Sequence, residues 1–207
     1  MATFNCQGLA SSNRVYEFEK AWEKTKLDII GLSETRISDE KITVRKNGNY
    51  FCYFGASKGY RGTGFYIRKK WAERISVIKG VSERISFIKI KLNSRNKILI
   101  IQCYAPTLQA DTSETDLFYN LLSDTLAKER EYYNFVIGDF NAKIGKDEGS
   151  FGASCVGNFG SNDCTNSNGE QLINFAANEN LKITNTFFKK PKNKKWTWRS
   201  PDNITSI

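Results

Sequence analysis

Three apolar runs in this 207-residue chain end on residues that could do chemistry, and a fourth strand carries one. "LDIIGLSET" runs into Glu34, "NFVIGDFN" into Asp139 and Asn141, and "ILIIQCYAP" into Tyr104, while the strand "ATFNCQGL" carries Asn5. A carboxylate at the end of a buried strand is costly unless a cation, a water or a donor offsets its desolvation. If these strands lie side by side with matching direction, their polar ends gather at one edge of the core, where ligand sites of α/β sheets commonly sit. A cluster of Glu, Asp and Asn is a hard-oxygen site, suited to Mg2+ or Mn2+ beside a phosphate. Each residue alone also has a plainer reading. Asp139 could be a turn former or helix cap, and Glu34 a solvated strand end or half of an ion pair. Tyr104 could be a core aromatic with a wet hydroxyl, and Asn5 a hydrogen-bonder at a strand edge. The set, in this order along the chain, is what argues for chemistry.

Composition narrows the options. The chain has no histidine, which excludes Ser-His-Asp and Cys-His nucleophile systems and histidine-ligated zinc. Its five cysteines are an odd number without a CxxC pair, and no secretory signal opens the chain. A reduced, intracellular protein without a disulfide-linked partner is expected. No apolar run approaches the roughly 20 residues of a membrane helix, so no membrane partner is expected. Lys and Arg number 31 against 22 Asp and Glu, a net charge of +9. A pI near 9.3 suggests a polyanionic partner such as nucleic acid or an acidic membrane surface, against the plainer reading of a basic but indifferent surface.

Positioning these residues requires alternating strands and helices. The spacing of Val15, Phe18 and Trp22 predicts a helix over "RVYEFEKAWEKTK". "YFCYFGASKGYRGTGFYIRKKW" reads as two strands around a Gly-rich turn, and "RISVIKG" and "RISFIKIKLN" as half-buried antiparallel strands. "SETDLFYNLLSDTLAKEREYY" is the strongest helix, with Leu117, Leu121, Leu122 and Leu126 expected along one face. "EQLINFAANEN" predicts another helix, and "LKITNTFF" and "KKWTWRS" further strands. The Gly-, Ser- and Asn-rich "KDEGSFGASCVGNFGSNDCTNSNG" reads as a long loop. Such an order suggests two packed sheets covered by helices, an α/β sandwich.

Taken in register, "TFNCQGL", "LDIIGLSETR", "GTGFYI", "IIQCYAPT" and "VIGDFNAKIG" resemble the endonuclease/exonuclease/phosphatase superfamily. More narrowly they resemble the apurinic-type endonuclease domains of non-LTR retrotransposons. "SNGEQLINFAANENLKITNTFF" and "KKWTWRSPD" are similar to the RTE/BovB-like branch. The resemblance implies a single domain over residues 1–207, a four-layer α/β sandwich of two mixed sheets flanked by helices. It also implies Mg2+-dependent (or Mn2+-dependent) cleavage of a DNA phosphodiester. Glu34 would ligate the metal, with Asn5 beside it at the metal site. Tyr104 would donate to the scissile phosphate, Asp139 would orient or deprotonate the attacking water, and Asn141 would hydrogen-bond the phosphate. Thr197 would lie in the DNA groove, and Arg36, Arg61, Lys195 and Arg199 are candidate phosphate contacts. The family pattern continues past "WRSPD" with an Asp in a strand and a Ser-Asp-His, and this sequence ends at "SPDNITSI" with neither. The expectation is therefore a domain lacking its last strands, weak or inactive in catalysis. Two alternatives are a DNA-binding remnant without chemistry and a phosphomonoesterase of the same fold. An intracellular place of action, the nucleus included, goes with DNA as partner.

Overall fold

Strands rich in Ile, Phe and Tyr alternate with amphipathic helices, and the computed structural model shows how they stack. It describes residues 1–55, 59–146, 154–161 and 164–191. By their contacts these fall into two units, Met1–Ala105 with Asn120–Asp139, and Pro106–Tyr119 with Phe140–Ile207.

All the strands named here belong to the first unit. One mixed sheet contains β1 (Ala2–Asn5), β2 (Ile29–Ser33), β3 (Glu40–Val44), β4 (Tyr50–Phe54) and β5 (Thr63–Ile67), in the order β1-β2-β5-β4-β3. The second contains β6 (Ile75–Ser82), β7 (Ile85–Lys91), β8 (Lys97–Tyr104) and β9 (Tyr133–Asp139), in that order. β1 and β2 run parallel, as do β8 and β9, and the other neighbours are antiparallel. The core between the sheets is aliphatic and aromatic: Ile29, Cys52, Phe54, Phe65 and Ile67 meet Ile88, Ile90 and Ile100.

Helices cover the outer faces. α1 (Ser12–Glu23) starts where the Ser11 side chain accepts from the Arg14 N–H, and it buries Val15 and Trp22 against Ile30, Leu32, Phe51 and Tyr66. Phe18, predicted on the same stripe, is partly buried there. A short α2 (Lys69–Ala72) follows β5. On the other side, Phe87, Leu99 and Ile101 are buried, and Lys89 on the same face of β7 bonds Glu129 at 2.9 Å and Glu131 at 3.1 Å. Glu129 ends α3 (Thr112–Glu129). Helix, sheet, sheet and helix give the α/β sandwich expected from the sequence.

Several local expectations need correction. The buried stripe of α3 is Thr115, Phe118, Leu122, Thr125 and Leu126, while Leu117 and Leu121 are exposed. At 100° per residue Leu117 and Leu121 form a neighbouring row, and the Thr125 hydroxyl joins the buried one by bonding the Leu121 carbonyl at 2.7 Å. β7 is buried on both faces, not half-buried, because it lies inside its sheet between the core and the outer cover. "LKITNTFF" is no strand. The Thr186 hydroxyl donates to the Ile183 carbonyl and accepts from Gly157 N–H, closing a 3-10 turn at Thr184–Thr186. β3, with four of five residues exposed, and the single-turn α2 carry no strong apolar period and escape a sequence reading. The predicted strand "KKWTWRS" lies outside the described residues.

In the second unit α4 (Ser167–Asn178) is the helix expected over "EQLINFAANEN". The Asn166 side chain caps it, accepting from Gly169 N–H at 2.8 Å and also from Lys143 N–H at 3.0 Å. Asn168 donates to the carbonyls of Asn141 and Pro106, both at 3.0 Å. Parts of the predicted long loop are ordered turns, with Cys155 and Val156 buried against Ala176.

Candidate functional site

Parallel pairing brings the polar strand ends together. Asn5 closes β1, Glu34 follows β2, and Tyr104 and Asp139 end β8 and β9 as direct register partners. The amide nitrogen of Asn5 spans the two sheets. It donates to Glu34 Oε1 at 2.9 Å and to Asp139 Oδ2 at 2.8 Å. Tyr104 O–H donates to the same Glu34 Oε1 at 3.0 Å, and Arg36 Nη2 donates to Glu34 Oε2 at 2.7 Å. Glu34 sits at φ +54, a left-handed conformation costing on the order of 1–2 kcal/mol for a residue with Cβ. Backbone bonds on both sides hold it there: Gly8 N–H to the Glu34 carbonyl, Thr35 N–H to Gly62, and Arg36 N–H to Arg61. Glycine precedes Asp139 for a steric reason. Gly138 has φ +149, and a Cβ there would lie 2.1 Å from the Cys103 carbonyl oxygen.

Beneath the site the core turns polar. Thr3 Oγ1 donates to Gln102 Oε1 at 3.2 Å, Gln102 Nε2 donates to Ser33 Oγ at 2.8 Å, and Ser33 Oγ donates to the Cys103 carbonyl at 3.1 Å. Each member of this bridge lies one or two residues before a site residue on its own strand. Gly31 makes room for it, since a Cβ there would lie 1.8 Å from Gln102 Oε1. Sequence reasoning missed the bridge, because Gln102 sits inside the apolar run "ILIIQCY" and its partners are far away in sequence. Arg84 was missed too; its Nη1 donates to the Tyr104 carbonyl at 3.0 Å and its guanidinium lies 5.5 Å from the Tyr104 ring centre.

Electrostatics keep the two groups on Glu34 in defined states. Burial pushes the Glu34 carboxyl up, but hydrogen bonds from Asn5, Arg36 and Tyr104 outweigh it, so Glu34 stays ionised below the usual range. Burial, followed by the negative charge of Glu34, pushes the Tyr104 phenol well up, so it remains a donor. An open cleft of about 310 Å³ exposes this arrangement, lined by Glu34, Arg36, Gly59, Tyr60 and Tyr104.

A model of the Endonuclease/Exonuclease/phosphatase family matches residues 2–203. The chain belongs to that family. It is 31% identical over 182 residues to craniofacial development protein 2 of Bos taurus, and 29% identical over 182 residues to its counterpart in Tragulus javanicus. Each alignment takes in 87% of this chain but only 30% and 31% of those proteins, so the chain spans under a third of their length. The endonuclease domain of TRAS1, a telomere-specific non-LTR retrotransposon, has the same fold: TM-score 0.60 at 13% identity, over 99% of this chain and 78% of that one.

Enzymes of the Endonuclease/Exonuclease/phosphatase family generally use divalent metal ions. The donor set here fits one. Among the described residues no group of three or more His, Cys, Asp or Glu is gathered. The site offers two carboxylates joined by one amide, too few for a closed cage. That is the donor set for a hard ion that keeps water and takes phosphate oxygens. Glu34 would supply the protein oxygen, with Asp139 beside it through the shared Asn5 amide. Asn5 presents its nitrogen to both carboxylates, and its oxygen accepts from Gln7 N–H at 3.2 Å.

Of the other sequence candidates, Arg36 joins the site through Glu34, with its side chain about half exposed. Arg61 pairs with Glu83. Asn141 belongs to the second unit, at φ +47 with its carbonyl held by Asn168. Thr197, Lys195 and Arg199 lie outside the described residues.

Proposed function

We propose that this chain is a Mg2+- or Mn2+-dependent endonuclease that hydrolyses DNA phosphodiesters, as in target-site nicking by non-LTR retrotransposons. The observation that carries the reading is the Asn5 amide holding Glu34 and Asp139 together while Tyr104 donates to Glu34. A bound divalent ion would neutralise charge that builds up on phosphate oxygens. The chain's own residues do the rest. Glu34 holds the cation and Asn5 orients both carboxylates. Asp139 would take a proton from the attacking water, the role of a carboxylate general base. Tyr104, kept protonated, would turn its single O–H from Glu34 to a phosphate oxygen that gains charge once substrate binds, and Asn141 would add an amide donor. Arg36, Arg61, Lys195 and Arg199 contact flanking phosphates and Thr197 lies in a groove, in keeping with a net charge of +9. "SNGEQLINF" and "KKWTWRSPD" support the RTE/BovB-like branch, and a DNA substrate implies an intracellular place of action, the nucleus included.

The test is nicking of supercoiled plasmid with Mg2+ against EDTA, run beside phosphate release from a phosphomonoester. Metal-dependent nicking without phosphate release is expected. Phosphate release alone would establish the phosphomonoesterase, and salt-sensitive DNA binding without either reaction would mark a non-catalytic binder.

A further inference from the structure

The two oxygens of Glu34 are not equivalent. Oε1 already accepts from Asn5 Nδ2 and from Tyr104 O–H, at 2.9 and 3.0 Å. Oε2 accepts from Arg36 Nη2 at 2.7 Å, with no other described residue on it. A cation that engages Glu34 must either break the part-buried pair of bonds at Oε1 or approach Oε2 against the positive charge of Arg36, a repulsion relieved when the guanidinium moves away. Oε2 is the easier side. The Glu34 side chain is only 16% exposed, whereas that of Arg36 is 51% exposed and opens to the same cleft. The backbone under Arg36 is fixed, through its N–H to the Arg61 carbonyl at 2.8 Å, so its side chain can swing without moving the strand end. A displaced guanidinium stays in that cleft, where its planar fork suits a phosphate.

We infer that Arg36 is an exchangeable counter-ion: it occupies Glu34 until a divalent cation arrives, and is then handed to a substrate phosphate. This rests on the reading of Glu34 as the cation ligand. Cation and phosphate thereby bind cooperatively, and Arg36 opposes the cation while favouring the phosphate. A residue that merely steadied Glu34 would act in the opposite direction on the cation, since removing it would weaken cation binding.

The experiment measures Mn2+ binding to the purified chain by EPR titration, and binding of a labelled DNA duplex by fluorescence anisotropy with and without Mn2+. Wild type, Arg36→Gln, Arg36→Lys and Glu34→Gln are compared, with folding checked by circular dichroism. Arg36→Gln should bind Mn2+ at least about fivefold more tightly than wild type, the lower end of usual couplings between linked sites. Its duplex affinity should be weaker and should lose most of the gain that Mn2+ gives wild type, with Arg36→Lys between the two. Weaker Mn2+ binding by Arg36→Gln, or an undiminished Mn2+ gain in its duplex affinity, overturns the exchange. Mn2+ binding that survives unchanged in Glu34→Gln instead overturns the cation site itself, and the exchange with it.

Discussion

The same strands build two unlike ends of one core. β2 begins at Ile29 and β8 reaches Ile98 and Ile100 amid Ile67 and Ile90, an end whose core is apolar. Six residues on from Ile98, β8 has passed Gln102 to reach Tyr104, and five residues on from Ile29 the chain has passed Ser33 to reach Glu34. That end is lined by Thr3, Asn5, Gln102 and Asp139, tied by side-chain hydrogen bonds across the sheets. Burying apolar surface at one end stabilises the sandwich by about 25 cal/mol per Å². The other end gives up part of that gain and keeps charged groups in fixed positions at a cleft. If the proposed chemistry resides at that end, stability and activity are separable along single strands, and substitutions can pull them apart.

The largest effect is expected at the polar end. Asp139→Ala should reduce plasmid nicking by about 10²–10⁴-fold, the usual contribution of a general base. Its thermal midpoint should stay close to that of wild type, and a collapse in midpoint would erase the distinction between the ends. At the apolar end, Ile100→Ala should cost about 2–5 kcal/mol in urea unfolding. Activity per folded molecule should be kept, and a proportionate loss of activity would show that the ends are coupled.

Gln102→Leu probes the boundary. Ser33 loses its partner in a buried setting, and Thr3 at the exposed edge loses one too, so a loss of about 1–3 kcal/mol is expected by the same unfolding measurement. A neutral result would mean that the bridge adds nothing to the fold. The smallest effect concerns pH. Burial raises the Glu34 carboxyl while bonds from Asn5, Arg36 and Tyr104 lower it further, for a net fall below the ordinary 4.5. A depressed carboxyl contributes stability that is complete above its unfolded value and is lost as pH falls through the folded one. Wild type should therefore keep a constant advantage in thermal midpoint over Glu34→Gln from about pH 7 to about pH 5. That advantage should close only in stronger acid; closing near neutrality would contradict the depressed carboxyl.

The two ends also differ in how far the sequence exposes them. Glu34, Tyr104 and Asp139 were legible because each breaks an apolar run at its last residue, and matching strand direction then gathers them. Asn5 was legible as a candidate, but its reach to two carboxylates comes from the parallel register of β1 with β2 and from the packing of the two sheets. Gln102 was hidden, since a lone amide inside an apolar run looks like an ordinary interior position until Thr3 and Ser33 arrive from other strands. The Arg36–Glu34 pair is local, yet it depends on left-handed backbone at both residues, φ +53 and +54, which residue types alone do not announce. In α3 the Leu spacing was half right: Leu122 and Leu126 are buried, but Leu117 and Leu121 fall on the next row, and Thr125, back-bonded to its own helix, takes a buried place. The 3-10 turn at Thr184–Thr186 replaced an expected strand for a similar reason: hydroxyl bonds to nearby backbone compete with a ladder.

The most direct test of the separation is one variant read two ways. Glu34→Gln changes one charged atom group at the polar end and leaves the apolar core untouched. Its nicking rate with Mg2+ and its thermal midpoint should be measured on the same preparation. The account predicts nicking reduced by at least about 10²-fold, with a midpoint within a few degrees of wild type. Undiminished nicking, or a loss explained entirely by unfolding, would contradict the claim that this strand end is where the chemistry resides.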